Sequence, residues 1–422
     1  MKQLALGGPV LALRGATPPK ERPLIPLSQE DTSMLEDLER ACFLYFWDQA
    51  NPQTGLVKDR CNTTQSSDKY KVASIAATGF GLSALCIGHK RGYASSGAIQ
   101  IRVINTLEFF WQKMTTHRGF FFHWANIDTG ERIWESEISS IDTAILLCGL
   151  LTCREYFNNH AGIAHLATAI FNRVDWTWVA EDTSLLSHGW TPELGFLPYR
   201  WDNYSELMML YLLGLGSSTY PLPDGSWSAW KRVTFEYDGL RYIGSYAPLF
   251  VHQYPQAWFD FRGKRDRYTD YFKNSATSTE VHRRFCLELH DQFPDYADDL
   301  WGITASDSRH GYAVWGGPPG IGPIDGTVAP SAAAGSLPFM PEATLKVLRN
   351  IKNNYGGRTW TRYGFVNAFN PLTNWYDTDV IGIDTGITML MAENLRTGFV
   401  WSQFMKSKEA QRGLMRAGFS EY

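Results

Sequence analysis

The sequence has no surplus of positive charge. Its 39 lysines and arginines are outnumbered by 43 aspartates and glutamates, for a formal net charge of −4. Binding a nucleic acid means neutralising phosphates, so no nucleic-acid partner is expected. No run of 18 apolar residues occurs, so no membrane-spanning helix is expected. One oily stretch, Ala144 to Leu151, contains Gly149 and soon ends in Thr152 and Arg154. It reads as a buried helix. There is no HExxH, no GxSxG elbow and no Walker sequence. Gly79-Phe80-Gly81 and Gly214-Leu215-Gly216 lack a third glycine and a preceding strand, which removes dinucleotide binding. The six cysteines (42, 61, 86, 148, 153 and 286) form no CxxC pair, so neither a zinc ribbon nor a redox motif is present. They read as buried reduced thiols, with a bridge left open. His282 and His290 lack a third ligand. Asp295, Asp298 and Asp299, in DYADD, lack the order of a magnesium-binding acidic motif and read as a helix N-terminal charge cluster. No metal and no cofactor are expected.

What is abundant is apolar and aromatic. Hydrophobic residues make up 44% and charged residues 19% of the 422 positions, enough for a large core and too apolar for disorder. Aromatics reach 14%, with 16 tryptophans. Each buried indole wants a partner for its N–H, so either the core is unusually rich in Trp or flat rings line a groove where sugars stack.

Residues 1–30 read as a tail: a weakly apolar start, a possible signal remnant, then a Pro-rich linker ending at Pro23. Residues 31–422 read as one domain. Apolar spacing predicts helices over 31–49 (with Ser28 or Asp31 as N-cap), 73–89, 96–115, 139–157, 163–180 and 203–215. Further helices are expected over 225–235, 256–261, 279–291, 341–353, 384–395 and 398–405. Strand alternation is scarce and no βαβ rhythm appears. The expected fold is all-α, an (α/α)6 barrel or toroid with long loops around a central cleft.

A local scheme recurs in those loops. GFFFHW (119–124) precedes EISSID (137–142), and GFLPYRW (195–201) precedes DNYSE (202–206). GYAVWGG (311–317) precedes DGT (325–327), and GFVNAFN (364–370) precedes GIDTG (382–386). Each time a Gly-aromatic loop is followed by a carboxylate near an expected helix start. Paired carboxylates are the apparatus of glycoside hydrolysis: one acid protonates the leaving oxygen, and in inverting enzymes a second carboxylate activates water. A helix N-terminus lowers a carboxyl pKa, which suits the base. Burial raises it, which suits the acid. Glu206 lies between Tyr204 and the apolar run Leu207 to Leu210, the more desolvating context, and is read as the acid. Spacing alone equally fits a helix N-terminal charge. Asp142 and Asp384 are each followed by Thr, which also fits capping.

These residues carry a resemblance. YFWDQANPQTGLVKDR (45–60), RGFFFHWANIDTGERIWESEISSIDTAIL (118–146), NYSELMMLYLLGLGSSTYPLP (203–223) and IGIDTGITMLMAENLRTGFVW (381–401) are among the matching segments. From about residue 31 to the C-terminus the chain resembles the bacterial glucoamylase-like family that contains the endo-β-1,2-glucanases (glycoside hydrolase family 144). The resemblance implies an (α/α)6 barrel and a cofactor-free, inverting hydrolysis of β-1,2-glucan or its oligosaccharides. It implies Glu206 as the acid and Asp142 as another acid at the cleft. For the water-activating base it implies Asp384 first and Glu137 second. Arg60, His123, Trp124, Trp134, Tyr204, His252, Gln253, Trp315, Asp325 and Glu342 become candidate sugar contacts. One departure is Ser205, where the family pattern has Asn before the acid. An oligo- or polysaccharide partner, a monomer, and a periplasmic or secreted location are expected. A transglycosylase acting on β-1,2-glucooligosaccharides and a non-catalytic glycan-binding protein are the alternatives.

Overall fold

The structure is a computed structural model and describes residues 23–65 and 69–422. The expected signal remnant, within residues 1–22, lies outside the described residues. The fold starts before the expected boundary at 31. Leu24, Ile25 and Leu27 pack on the core, and the Leu24 N–H donates to Leu395 O at 3.0 Å.

The helices are α1 (Gln29–Asp48), α2 (Ile75–Arg91), α3 (Ser96–Gln112), α4 (Ser140–Tyr156), α5 (Ala161–Asn172) and α6 (Trp176–Ala180). Then come α7 (Leu207–Gly216), α8 (Ser226–Ala229), α9 (Tyr254–Trp258), α10 (Tyr271–Glu288) and α11 (Pro330–Ala334). The last are α12 (Pro341–Asn350), α13 (Gly356–Thr359), α14 (Gly382–Thr397), α15 (Phe399–Phe404) and α16 (Lys408–Arg416). Serine side chains cap α1, α2, α3, α4 and α16, each accepting from a backbone N–H of the first turn.

Two kinds of helix alternate along the chain. All ten residues of α7 are buried, as are nearly all of α2, α4 and α14, and α9 and α11 are buried throughout. Helices with one apolar stripe lie between them: α1 packs on α2 and α14, α5 on α4, α12 on α11, and α16 on α7. Small residues let the buried helices approach closely. A Cβ added at Gly149 of α4 would lie 1.9 Å from the Gly79 carbonyl oxygen of α2. At one end of α1, α2 and α14, Arg396 pairs with the wholly buried Glu39, and Arg91 pairs with Glu393 at 2.7 Å.

Several elements depart from the sequence expectation. The helix expected over 163–180 is interrupted at Arg173–Asp175, where the Asp175 N–H donates to Arg118 O and the Asp175 side chain caps α6. The helix expected from Asn203 starts at Leu207, because 202–204 pairs with the chain near Lys231 instead. The helix expected over 225–235 is a single turn. The chain then enters an antiparallel hairpin, Val233–Tyr237 with Leu240–Gly244, turned by Asp238-Gly239, both at positive φ. Helices α11, α13 and α16 lie outside every expected helix, and the helix expected over 279–291 starts earlier, at Tyr271. Short strands are more frequent than expected. A five-stranded antiparallel sheet runs Thr116–His117, Phe120–Phe122, Ile138–Ser139, Gly189–Thr191, Gly195–Phe196.

The cysteines are all buried and unbridged, with Cys86 Sγ and Cys153 Sγ 3.5 Å apart. Many tryptophans are core: Trp176, Trp227, Trp258, Trp301 and Trp401 are fully enclosed.

Candidate active site

The buried helices bring their N-terminal ends together. The recurring loops feed them. Gly119, Gly195, Gly311 and Gly364 all have positive φ, between 77° and 104°. Three of them turn short hairpins: 116–122, 189–196 and 360–365. Asp142 falls in the first turn of α4, Glu206 at the N-cap of α7, and Asp384 in the first turn of α14. Asp325 does not fit the scheme. It precedes α11 by several residues and accepts from the Thr327 N–H in a turn.

Strand pairing delivers the rest. Trp124 pairs with Ser74, the N-cap of α2, which seats His123 beside that helix start. Arg60 pairs with Ile381, and the Gly382 N–H donates to Asp59 O at 2.7 Å, which seats Arg60 beside α14.

Two carboxyls stand out electrostatically. Glu206 is pushed up to about 7, chiefly by burial and further by the negative charge of Asp142, against a backbone hydrogen bond. Asp384 is also pushed up to about 7, chiefly by burial, against the hydrogen bond from Asn367. Both residues keep some accessible surface although they lie deep in the molecule, as at the bottom of a depression. For Asp384 this corrects the sequence expectation that the helix N-terminus would hold a base low. Burial outweighs the helix end. Tyr254, at the start of α9, lies within electrostatic reach of Asp384, Glu206 and Asp142, and burial together with these charges pushes its phenol well above the usual range.

Beside Glu206 lies a charged triad. His123 Nδ1 is 3.0 Å from Glu137 Oε1, and its Nε2 is 3.5 Å from Asp142 Oδ2. The ring stacks on Trp124 at 3.8 Å. Burial disfavours the imidazolium, yet Asp142, Glu137 and Asp59 outweigh it and raise His123 to about 9. Burial pushes Glu137 up, and the bond and charge of His123 reverse this, leaving it below its usual value. Asp142 Oδ2 also accepts from Ser139 Oγ at 2.5 Å, the reciprocal side of the α4 cap. Among the described residues, these three form a cluster whose ligand atoms lie close enough to surround a cation. The two carboxylates, however, engage opposite ring nitrogens, so the imidazole bridges them as a cation itself.

Arg60 is held by three carboxylates: Asp307 at 2.8 Å, Asp59 at 3.3 Å and Asp379 at 3.6 Å. Trp134 is 63% exposed, at positive φ, with its ring edge-on to Trp124 at 6.0 Å. Trp315 is buried, its N–H donating to Ser306 O. Other expected sugar contacts are not at the surface. Tyr204 is fully enclosed, with its hydroxyl 3.1 Å from Nδ1 of the buried His252. Gln253 donates to Ala332 O and Ser336 Oγ inside the core. All three are buried, and His252 lines a small cavity with Tyr242 and His282. Glu342 is exposed in the first turn of α12. Ser205 is buried, and its hydroxyl accepts from the Leu207 N–H. Asp298 is paired on the surface with Arg283 and Lys346, not at a helix start.

The sequence reading missed Asp59, Asp307, Asn367, Tyr254 and Tyr312. Tyr312 is half exposed, and its phenol lies within electrostatic reach of Asp384, Asp59, Asp307 and Arg60. The only signal for Tyr312 and Asn367 was their place inside two of the Gly-aromatic loops.

Known proteins share this frame. The family model "Glycoamylase", described as "Putative glucoamylase", matches residues 198–408. An exo β-1,2-glucooligosaccharide sophorohydrolase (non-reducing end) from Parabacteroides distasonis is 28% identical over 424 residues. That alignment covers 92% of this chain but 58% of the relative, so the chain spans little more than half of its length. The solved endo-β-1,2-glucanase from Chitinophaga pinensis, in complex with sophorotriose and glucose, is 28% identical with a TM-score of 0.87, covering 94% of this chain and 99% of that one. The β-1,2-glucanase from Parabacteroides distasonis is 26% identical with a TM-score of 0.86, covering 93% and 60%.

Proposed function

This chain belongs to the Glycoamylase (glucoamylase-like) family, and on that premise we propose that it is a glycoside hydrolase cleaving β-1,2-glucan or its oligosaccharides with inversion. The observation that carries the reading is the pair of carboxyls at buried helix starts, Glu206 and Asp384, both raised to about 7. Relatives named for β-1,2-glucan chemistry over nearly the whole chain support the choice of linkage. The alternation of enclosed and striped helices supports an (α/α)6 barrel with the site at its N-terminal mouth.

In this reading Glu206 is the acid. At neutral pH a substantial fraction carries the proton that the leaving oxygen needs. Asp142 keeps that proton on, because its own negative charge opposes ionisation of Glu206. Asp384 is the base. Deprotonated, it takes a proton from the water that attacks the anomeric carbon from the opposite face. Glu137 is bound to His123 and held as a carboxylate, so it serves as the fixed counter-charge of the imidazolium and not as the base. Arg60, Trp124, Trp134 and Tyr312 offer hydrogen bonds and flat rings to the sugars. A single chain supplies every group named, in keeping with a monomer. A periplasmic or secreted location belongs to the same proposal and follows from a glucan substrate.

Proton NMR of the first product tests the mechanism. Inversion at a β-linkage must release the α-anomer first. Initial release of the β-anomer would rule out the two-carboxylate inverting scheme.

A further inference from the structure

Asn367 lies in the loop after the strand Gly364–Phe365 and is 3% exposed. Its side chain makes two short bonds in different directions. Nδ2 donates to Asp384 Oδ2 at 2.6 Å, and Oδ1 accepts from the backbone N–H of Asp307 at 2.7 Å. The orientation of the amide is forced. A backbone N–H can only donate, so Asn367 must turn its oxygen to Asp307 and its nitrogen to Asp384. Its own N–H donates to Asp379 O, which fixes the main chain.

The segment on the far side of Asn367 is a closed turn. Ser306 and Ala313 exchange backbone hydrogen bonds at 3.0 and 2.9 Å, and Ser308 and Gly311 close the tip. That turn carries Asp307, which holds Arg60, and Tyr312. A single amide therefore joins the carboxyl read as the base to the turn that carries Asp307 and the half-exposed Tyr312.

We propose that Asn367 is a positioning residue of the hydrolysis: it orients the Asp384 carboxylate toward the attacking water and ties it to the 306–313 turn. The inference rests on Asp384 being the base. Asp384 faces Asp307 and Tyr312 on that turn, Arg60 on its strand, and Tyr254 at the start of α9. Burial, then Asp307, pushes its carboxyl up, while the bond from Asn367 and the charge of Arg60 pull it down. Asn367 thus favours the ionised form, which is the form that accepts a proton.

Asn367→Asp separates the two bonds. The retained oxygen still accepts from the Asp307 N–H, so the turn stays tied. The atom facing Asp384 changes from a donor to an acceptor, and two facing carboxyls must then share a proton. The measurement is the pH profile of kcat/KM on β-1,2-glucooligosaccharide, with Asp384→Asn alongside and thermal unfolding as a check of the fold. The expected result is a loss of about tenfold or more in kcat/KM below pH 7, measured against wild type at the same pH, with wild-type rates kept above pH 8 and KM near the wild-type value. Asn367→Ala, which loses both bonds, gives the same readout should Asn367→Asp not fold. Wild-type rates on the acidic side together with an inactive Asp384→Asn would overturn the role of Asn367 and leave the base assignment standing. A loss confined to the alkaline side, or an active Asp384→Asn, would overturn the base assignment itself.

Discussion

At the residue scale the two central carboxyls have opposite needs and nearly the same proton affinity. Glu206 must be protonated, so rate falls as pH rises through about 7. Asp384 must be ionised, so rate falls as pH drops through about 7. A narrow bell centred near neutrality is the expected profile of kcat/KM, and a plateau extending below pH 5 would contradict it. Replacing Glu206 by Gln keeps the shape and removes the proton. The expected loss in kcat is at least about 100-fold, the usual scale for a general acid. The same change removes a carboxylate that burial disfavours. The unfolding midpoint of Glu206→Gln at pH 8 should therefore equal or exceed that of the wild type. A clear drop would mean that Glu206 is a structural helix-end charge, the alternative its spacing had left open. The acid's context was legible in the sequence because the apolar run of α7 begins right after it. Asn367 was not, because a buried amide between two loops leaves no periodic trace.

At the scale of elements, the helices with strong apolar spacing were legible to within a few residues at their ends. What was missed had a local cause. The 233–244 hairpin alternates cleanly and turns at Asp238-Gly239, but Trp227 and Trp230 before it suggest a helix face. The break at Arg173–Asp175 is made by the hydrogen bond from Asp175 to Arg118, 57 residues away in sequence, which no local pattern contains. The packing of α2 on α4 has a sharp test. Gly149→Ala places a methyl 1.9 Å from the Gly79 carbonyl oxygen, against backbone that no rotamer can clear. The expected cost is about 1–3 kcal/mol or more, read from denaturant unfolding. Because α4 carries Asp142 in its first turn, activity should fall as well. Wild-type stability in Gly149→Ala would contradict the close approach of these two helices.

At the scale of the whole molecule the site is an assembly of distant segments. Asp59 and Arg60, His123, Glu137 and Asp142, Glu206, Asp307, Asn367 and Asp384 come from loops and helix starts spread over more than 300 residues of sequence. The recurring Gly-aromatic loops announced that these segments belong together. They did not announce which side chains would touch, since that depends on loop paths that composition does not encode. The assembly also sets how stability varies with pH. The folded protein holds protons that the unfolded chain releases, on Glu206 and Asp384 to about 7 and on His123 to about 9. For His123 the stabilisation is complete below its unfolded value of about 6.5 and is lost as pH rises through about 9. For the two carboxyls, folding becomes less favourable as pH climbs from the ordinary carboxyl range through about 7. All three point one way, and above pH 7 the buried neutral His252 and His282 no longer oppose them, so the unfolding midpoint should fall from pH 7 to pH 9. A midpoint that rises over that window would contradict these protonation states.

The central claim is tested most directly by the products formed from linear β-1,2-glucan, with β-1,3-glucan, β-1,4-glucan and starch in parallel. Chromatography reads their sizes. Short oligosaccharides from the β-1,2-glucan alone, absent with Glu206→Gln and with Asp384→Asn, are the expected result. Products from starch, or from none of the polymers and no β-1,2-glucooligosaccharide, would contradict it.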